Sequence, residues 1–281
     1  MTGQNLHTHT LYSDGKASLL HTIEKAVVMG MHTLGISDHS PLPFENSFAL
    51  TEHDVEQYCA ELRSLQQLFA EKINLYLSLE IDYIPGMSTG FDVWKRRCGL
   101  DYVIGSIHLV GSDHEEQLWF TDGPLRETYD EGLKRFFGGD IRRAVGAFYE
   151  QTNQMITNET FDVIGHFDKI KMHNQNRYFT EDELWYRQLV RETIDLIASR
   201  HLIVELNTRG VYKGRSDSFF PSDWILRELH ERGVPVIISS DAHHPDELQM
   251  LFAEAATALK ATGYKETLRF TGKGWKEVAL D

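Results

Sequence analysis

The stretch His7-Thr8-His9-Thr10-Leu11-Tyr12-Ser13-Asp14-Gly15 places two imidazoles two residues apart and a carboxylate shortly beyond them. Side chains alternate across a β-strand, so His7 and His9 project to one face, and Asp14-Gly15 marks the turn that follows. Paired imidazoles at the end of a strand can hold a divalent ion. Two histidines alone would more often be ordinary core or surface residues. The rest of the chain changes that reading, because further clusters each close an apolar, β-rich run: Ser37-Asp38-His39, Glu80-Ile81-Asp82, Ser106-Ile107-His108, Gly165-His166-Phe167-Asp168 and Ser239-Ser240-Asp241-Ala242-His243-His244. Chance would scatter such residues; here they recur at strand ends.

The candidate ligands are His7, His9, Asp14, His39, Glu80, His108, His166, Asp241 and His243, all nitrogen or oxygen donors with no thiolate. One catalytic zinc takes about three protein ligands, so this set suffices for two or three ions if a carboxylate is shared, and Glu80 is the natural bridge. Imidazole with carboxylate suits Zn, Fe or Mn and is a poor cage for Ca or Mg, which prefer oxygen shells. Cys59 and Cys98 stand in no CxxC spacing, which argues against a disulfide framework and a thiolate zinc site.

Positioning these groups requires a regular alternation of elements. Strands are predicted over about 3–10, 33–38, 73–82, 101–109, 161–166, 202–207 and 234–239. Helices are predicted over 18–30, with Ser18 as N-cap, then 51–71, 90–99, 125–158 with a break at 137–140 where Asp140 caps the second half, 180–200, 221–232 and 246–262. Residues 267–278 are expected to add a last strand. Strand, helix, strand at this spacing means right-handed βαβ units and a parallel barrel or sheet, with functional loops at the C-terminal strand ends. Three connections are longer than a simple link needs: 40–50, 110–122, a candidate mobile lid, and 169–178.

A chain of 281 residues exceeds the usual single-domain range of ~100–200, yet barrels of this kind reach ~250 as one unit, and no linker or repeat divides residues 1–281. Twenty-eight basic residues against 42 acidic ones give a formal charge of −14, which argues against a nucleic-acid polymer as partner. Phosphate can still bind locally, since bound cations would reverse the field of the pocket. No apolar run of about 18 residues is present, and the N-terminus lacks a basic region followed by an apolar one, so the expectation is a cytoplasmic protein with no membrane partner.

His7-Thr8-His9, Asp38-His39, Glu80, Ser106-Ile107-His108, Gly165-His166 and Ser240-Asp241-Ala242-His243, taken in order, resemble the metal motifs of the PHP (polymerase and histidinol phosphatase) superfamily. Asp38-His39-Ser40-Pro41-Leu42-Pro43 and Glu205-Leu206-Asn207-Thr208 look like its histidinol-phosphate phosphatase branch. The resemblance implies an α/β fold, a distorted (β/α)7 barrel, with three ions at the C-terminal ends of its strands. His7, His9, Glu80 and Asp241 would hold one ion, Glu80, His108 and His166 a second, and Asp14, His39 and His243 a third. At the position of Asp14 many members of the family carry histidine. The implied reaction is hydrolysis of a small phosphate monoester, with L-histidinol phosphate favoured, in which a water shared by two ions attacks phosphorus in line.

Outside the ligand set, Asp168 is a candidate either to protonate the leaving alkoxide or to orient a ligand histidine. Arg209, directly after the strand at 202–207, is the first candidate for binding phosphate, followed by Lys171 and, as a lining residue, His173. Lys16 and Lys213 are expected to be solvated. His244 is excluded as a ligand because it faces away from His243, and the five tryptophans are assigned to packing. Alternative readings are a phosphodiesterase or exonuclease, a phosphotyrosine phosphatase, and a non-catalytic metal-binding domain.

Overall fold

The computed structural model describes residues 3–111 and 114–280. Its first strand, β1 (Gln4–Asn5), lies parallel to β2 (Thr33–Ile36), which lies parallel to β3 (Asn74–Leu77). A second parallel sheet begins with β4 (Glu80–Asp82) and β5 (Ile104–Ser106), and the order across it is β10-β9-β8-β5-β4. Here β8 is Val163–Ile164, β9 is Ile203–Asn207 and β10 is Val236–Ser239. The strand predicted over 73–82 is thus two, interrupted at Ser78-Leu79. Ser78 Oγ donates to the carbonyl of Tyr102 at 2.8 Å, and the Tyr58 hydroxyl donates to the carbonyl of Ser78 at 2.9 Å, which pulls the backbone out of the ladder.

The two sheets are stitched at both ends. Thr8 bridges Ala242 in parallel, with His9 N donating to Ala242 O at 2.8 Å, and His39 bridges Glu80, with Ser40 N donating to Glu80 O at 2.9 Å.

Helices pack outside the strands. They are α1 (Leu19–Val28), α2 (Val55–Leu68), α3 (Phe91–Cys98), α4 (Arg126–Phe137), α5 (Ile141–Asn158), α6 (Leu184–Ser199), α7 (Arg209–Tyr212), α8 (Asp223–Glu231) and α9 (Phe252–Ala261). Ser18 caps α1 through the amide of His21, and Asp140 caps α5 through the amides of Arg142 and Arg143. The break between α4 and α5 is a glycine stop, Gly138 at φ 63°. The last helix starts later than periodicity suggests, because Leu251 sits at φ 60° after a 3₁₀ turn at Pro245–Glu247. No described helix is long and apolar enough to cross a membrane.

Between strands and helices lies a large core that includes Ile23, Leu34, Leu77, Phe148, Ile194 and Leu226. A second, smaller cluster gathers Leu6, Tyr102, Ile104, Val163, Ile203, Ile237 and Phe270 on the other face of the strands. Tyr102 lies so close to β2 that a Cβ on Gly35 would fall 1.9 Å from its hydroxyl oxygen, so only glycine fits there. Phe270 comes from an antiparallel hairpin, β11 (Glu266–Phe270) with β12 (Trp275–Ala279), where the sequence suggested one strand. The hairpin is tied to β1 by Gln4, whose side chain accepts from Phe270 N at 2.8 Å and donates to Leu268 O at 3.1 Å.

The stretch 110–122 differs from the expected turn-like lid. It carries β7 (Trp119–Phe120), paired antiparallel with β6 (Leu109–Val110) and packed beneath α4 by the buried Trp119, whose indole donates to Tyr129 O at 3.0 Å. Ser112 and Asp113, also in that stretch, lie outside the described residues.

Candidate metal centre

The strand ends bring all nine candidate ligands together. Four groups of donor atoms are close enough to share an ion: His9 with Asp14, His39 and His243; His7 with Glu80 and His166; His7 with His9 and Asp241; and His39 with Glu80 and His108. Glu80 stands at the centre. Its Oε2 lies 3.0 Å from His7 Nε2, 3.4 Å from His9 Nε2 and 3.4 Å from His39 Nδ1. Its Oε1 lies 2.9 Å from His166 Nε2 and 3.5 Å from His108 Nε2. Asp241 Oδ1 is 3.3 Å from His9 Nε2 and 3.4 Å from His243 Nδ1, and Asp14 Oδ2 is 3.0 Å from His243 Nε2.

The donor set fits divalent ions on three counts. Two atoms each about 2.1 Å from one tetrahedral ion stand about 3.4 Å apart, which is the spacing of most of these pairs. His7 Nε2, His9 Nε2, His39 Nδ1 and Asp14 Oδ1 are buried with no hydrogen-bond partner, a costly condition unless another group satisfies them. And Asp14, Glu80, Asp82, Asp122, Glu205 and Asp241 surround the cluster, against Lys169 and Arg209 as buried lysine and arginine beside it among the described residues, an excess of carboxylates that cations would neutralise.

Local backbone conformation sets this arrangement. Asp241 sits at φ 50°, a region few non-glycine residues occupy, and its carboxylate lies between His9 and His243. The loop after β1 folds under itself: Gly15 N donates to Thr10 O at 2.9 Å, and a Cβ on Gly15 would lie 2.5 Å from the His9 carbonyl. Asp38, buried beside it, accepts from Thr10 N at 2.7 Å and Thr10 Oγ1 at 2.8 Å, and also from the Ser13 hydroxyl.

Behind the ligands stand carboxylates that fix the rings. Glu205 Oε1 lies 2.6 Å from His7 Nδ1, a contact that holds a proton on Nδ1 and would leave the Nε2 lone pair for an ion. Glu205 Oε2 accepts from His166 N at 3.0 Å and from Asn207 Nδ2 at 3.1 Å, while Asn207 also donates to Asp241 Oδ2 at 3.2 Å. Asp82 binds His108 Nδ1 in the same manner.

Electrostatics follow from this crowding. Burial opposes ionisation of Glu80, yet His7, His39 and His108 outweigh it and hold the carboxyl well below its ordinary range. Burial likewise opposes protonation of His7, but Glu205, Glu80 and Asp241 raise it well above the usual value. For His108, burial is outweighed by Asp82 and Asp122, which push it up to about 10. His9 is lowered, by burial and by neighbouring His243.

A cavity of about 470 Å³ opens over the cluster, within the range of small-molecule sites. Arg209 lines it, with Nη1 donating to Asp241 O at 2.7 Å. Lys16 and Lys213, expected to be solvated, also reach its rim, as does Arg215. His244 lines the mouth, half-exposed, and its Nδ1 accepts from Asp246 N instead of facing the ligands.

Three sequence candidates are placed elsewhere. Asp168 is fully buried, binds Lys171 Nζ at 2.6 Å and accepts from Ser222 N at 3.2 Å, and burial pushes its carboxyl up to about 6. Lys171 also faces Glu181 at 3.3 Å, so neither residue lines the cavity. His173 is buried behind the wall, its Nε2 donating to Gly123 O at 2.7 Å. The reason is a 3₁₀ turn at Lys169–Lys171, in which residues three apart eclipse. Asp168 and Lys171 therefore share one face, and Lys169 takes the other. Lys169 lines the cavity, 2.7 Å from Asp122 Oδ2 and 3.9 Å from Asp241 Oδ2. Burial opposes its charge, but Asp122 and Asp241 outweigh that and keep it protonated. Sequence reasoning passed over Lys169, Asp122 and the supporting role of Glu205. Only Glu205 left a signal, as a carboxylate in an otherwise apolar strand.

Comparison with known proteins agrees with this geometry. The PHP domain family profile matches residues 5–209. A Deinococcus radiodurans protein named "Probable histidinol-phosphatase" is 28% identical over 267 residues, covering 94% of this chain and 95% of that one. Among solved structures, hisK from Listeria monocytogenes superposes with a TM-score of 0.76 at 19% identity, covering 89% of this chain and 99% of the other. The histidinol phosphate phosphatase of Lactococcus lactis, complexed with Zn, L-histidinol and phosphate, gives 0.67 at 20% identity, covering 98% and 99%.

Proposed function

Because the chain belongs to the PHP domain family, we propose that it is a metal-dependent phosphate monoester hydrolase of the histidinol-phosphatase branch, acting on L-histidinol phosphate. The stitching at Thr8–Ala242 and His39–Glu80 supports closure of the two sheets into a distorted (β/α)7 barrel, with residues 1–281 as one domain. The observation that carries the functional reading is the single carboxylate of Glu80 set among five imidazoles, His7, His9 and His39 at one oxygen and His108 and His166 at the other. A carboxylate so placed would be able to serve two ions at once.

His7, His9, Glu80 and Asp241 would hold one ion, Glu80, His108 and His166 a second, and Asp14, His39 and His243 a third, with Zn, Fe or Mn compatible with these donors. Bound there, the ions would supply Lewis-acid charge and an activated water for hydrolysis of the ester. The protein's own residues do the rest. Arg209 offers a planar fork to phosphate oxygens, and Lys169, kept charged by Asp122, places a second cation over the cluster. Lys16 and Arg215 at the rim, with Lys213 paired to Glu247, would draw in an anionic substrate despite the −14 net charge.

The test is steady-state hydrolysis by protein reconstituted separately with Mn, Fe(II) and Zn. L-Histidinol phosphate is compared with sugar phosphates, nucleotides and phosphotyrosine. A kcat/KM for histidinol phosphate well above the panel is expected, and a flat profile would remove that substrate while leaving the phosphatase.

A further inference from the structure

Phe48 and Phe120 form a continuous aromatic face on one side of the cavity, and we infer that this face, together with Asp122, receives the leaving alcohol of the ester. The inference rests on the phosphatase reading above and adds how the half of the substrate that carries no phosphate is chosen.

The two rings come from different connections and meet at the cavity. Phe48 lies in the connection after β2 and Phe120 at the end of β7, with ring centroids 5.4 Å apart and planes tilted by 32°. Both are half-buried, in contrast to the shut-in aromatics of the core, so each keeps part of its surface toward the cavity. Their positions are fixed from below. Asn46 Oδ1 accepts from the amides of Phe48 at 3.1 Å and Ala49 at 2.7 Å, and the Phe48 ring stands edge-on to His39 at 5.4 Å. Phe120 pairs with Leu109, and the next residue, Thr121, donates its amide to His108 O at 2.9 Å. Both rings are thus held by the same backbone that presents two of the metal-binding histidines.

Beside them, Asp122 lines the cavity and is buried. Its Oδ2 takes Lys169, but its Oδ1 has no hydrogen-bond partner, and the residue belongs to none of the four donor groups. A buried acceptor in that condition calls for a donor. Arg209, Lys213 and Arg215 all come from the segment after β9, which β8 separates from β5 in the sheet order. The rings and the unpaired Asp122 oxygen thus come from other elements than these three cations, while Lys169, which also lines the cavity, is paired with the second oxygen of Asp122. Phosphate belongs with the cations and the ions. The aromatic side suits an alcohol with a planar ring and an N–H donor, which stacks on the phenyl faces and donates to Asp122; L-histidinol is such an alcohol.

Product inhibition separates the two halves. Zn-reconstituted wild type, Phe48→Ala, Phe120→Ala and Phe48→Leu are compared for inhibition by L-histidinol and by inorganic phosphate, with metal content measured for each. Each alanine variant is expected to raise the inhibition constant for L-histidinol tenfold or more, while that for phosphate moves less than threefold. Phe48→Leu, which keeps apolar bulk and carries the test if the alanine variants fold poorly, is expected to raise it at least threefold with the same selectivity. Equal shifts in both constants, or none, would overturn the subsite and leave the phosphatase reading standing. A wild type that hydrolyses no monoester would overturn that reading, and the subsite with it.

Discussion

Replacing Glu205 by Gln tests whether the carboxylates behind the ligands tune the site. Glu205 presents two acceptor oxygens to three donors: His7 Nδ1 at 2.6 Å, His166 N at 3.0 Å and Asn207 Nδ2 at 3.1 Å. Glutamine is nearly isosteric but has one oxygen and one NH₂ group. With its oxygen toward His7, its amide faces the donors of His166 and Asn207; turned over, it faces His7 Nδ1–H, and the tautomer that frees Nε2 loses its support. Either way at least one buried donor loses its acceptor, at a cost of about 1–3 kcal/mol each. Loss of such a supporting carboxylate typically lowers metal affinity about 10–100-fold, or about 1.4–2.7 kcal/mol. We expect the zinc dissociation constant of Glu205→Gln, measured by competition with a chromophoric chelator, to rise within that range while circular dichroism stays native-like. A constant equal to that of wild type would refute the reasoning, because it would mean that the bond to His7 contributes nothing to ligand orientation.

Other perturbations act on different parts of the structure. Glu80→Ala should lose metal and activity together; full activity with a normal metal count by mass spectrometry would remove the bridge assignment. Arg209→Ala should raise KM for phosphate esters roughly tenfold or more, since one charged hydrogen bond contributes about 1.5–3 kcal/mol, and an unchanged KM would exclude it from phosphate binding. Chelation of the ions should lower the melting temperature measured by calorimetry, because the carboxylates around Glu80 would then repel one another unscreened; an unchanged transition would argue against metal occupancy. Asp140→Ala removes two hydrogen bonds from the start of α5 and should cost about 1 kcal/mol in chemical denaturation with kcat unaffected.

Alternation and strand-end clustering made the convergence of nine donors legible in the sequence, because strand periodicity carries side-chain direction with it. The parallel α/β order was legible for the same reason. Direction failed where the backbone left regular geometry. In the loop after β8 a single 3₁₀ turn exchanged the expected Lys171 for Lys169, and no spacing rule anticipates one turn of that kind. Asp122 escaped because a short antiparallel ribbon folds it back over β5, which a polar, turn-like stretch does not announce. The aromatic pair Phe48 and Phe120 went unnoticed because its members are 72 positions apart and meet only in three dimensions.

The hydrogen bond from Asn5 to Ser240 spans 235 positions and lies next to His7, His9 and Asp241. Closing so long a loop is slow and comes after local contacts have formed. A chain still folding therefore owns fragments of the ligand set, such as His39 with Glu80 or His7 with His9, but not the whole. Tight capture of ions by the full donor set would then come late, and would favour finished molecules over partly folded ones.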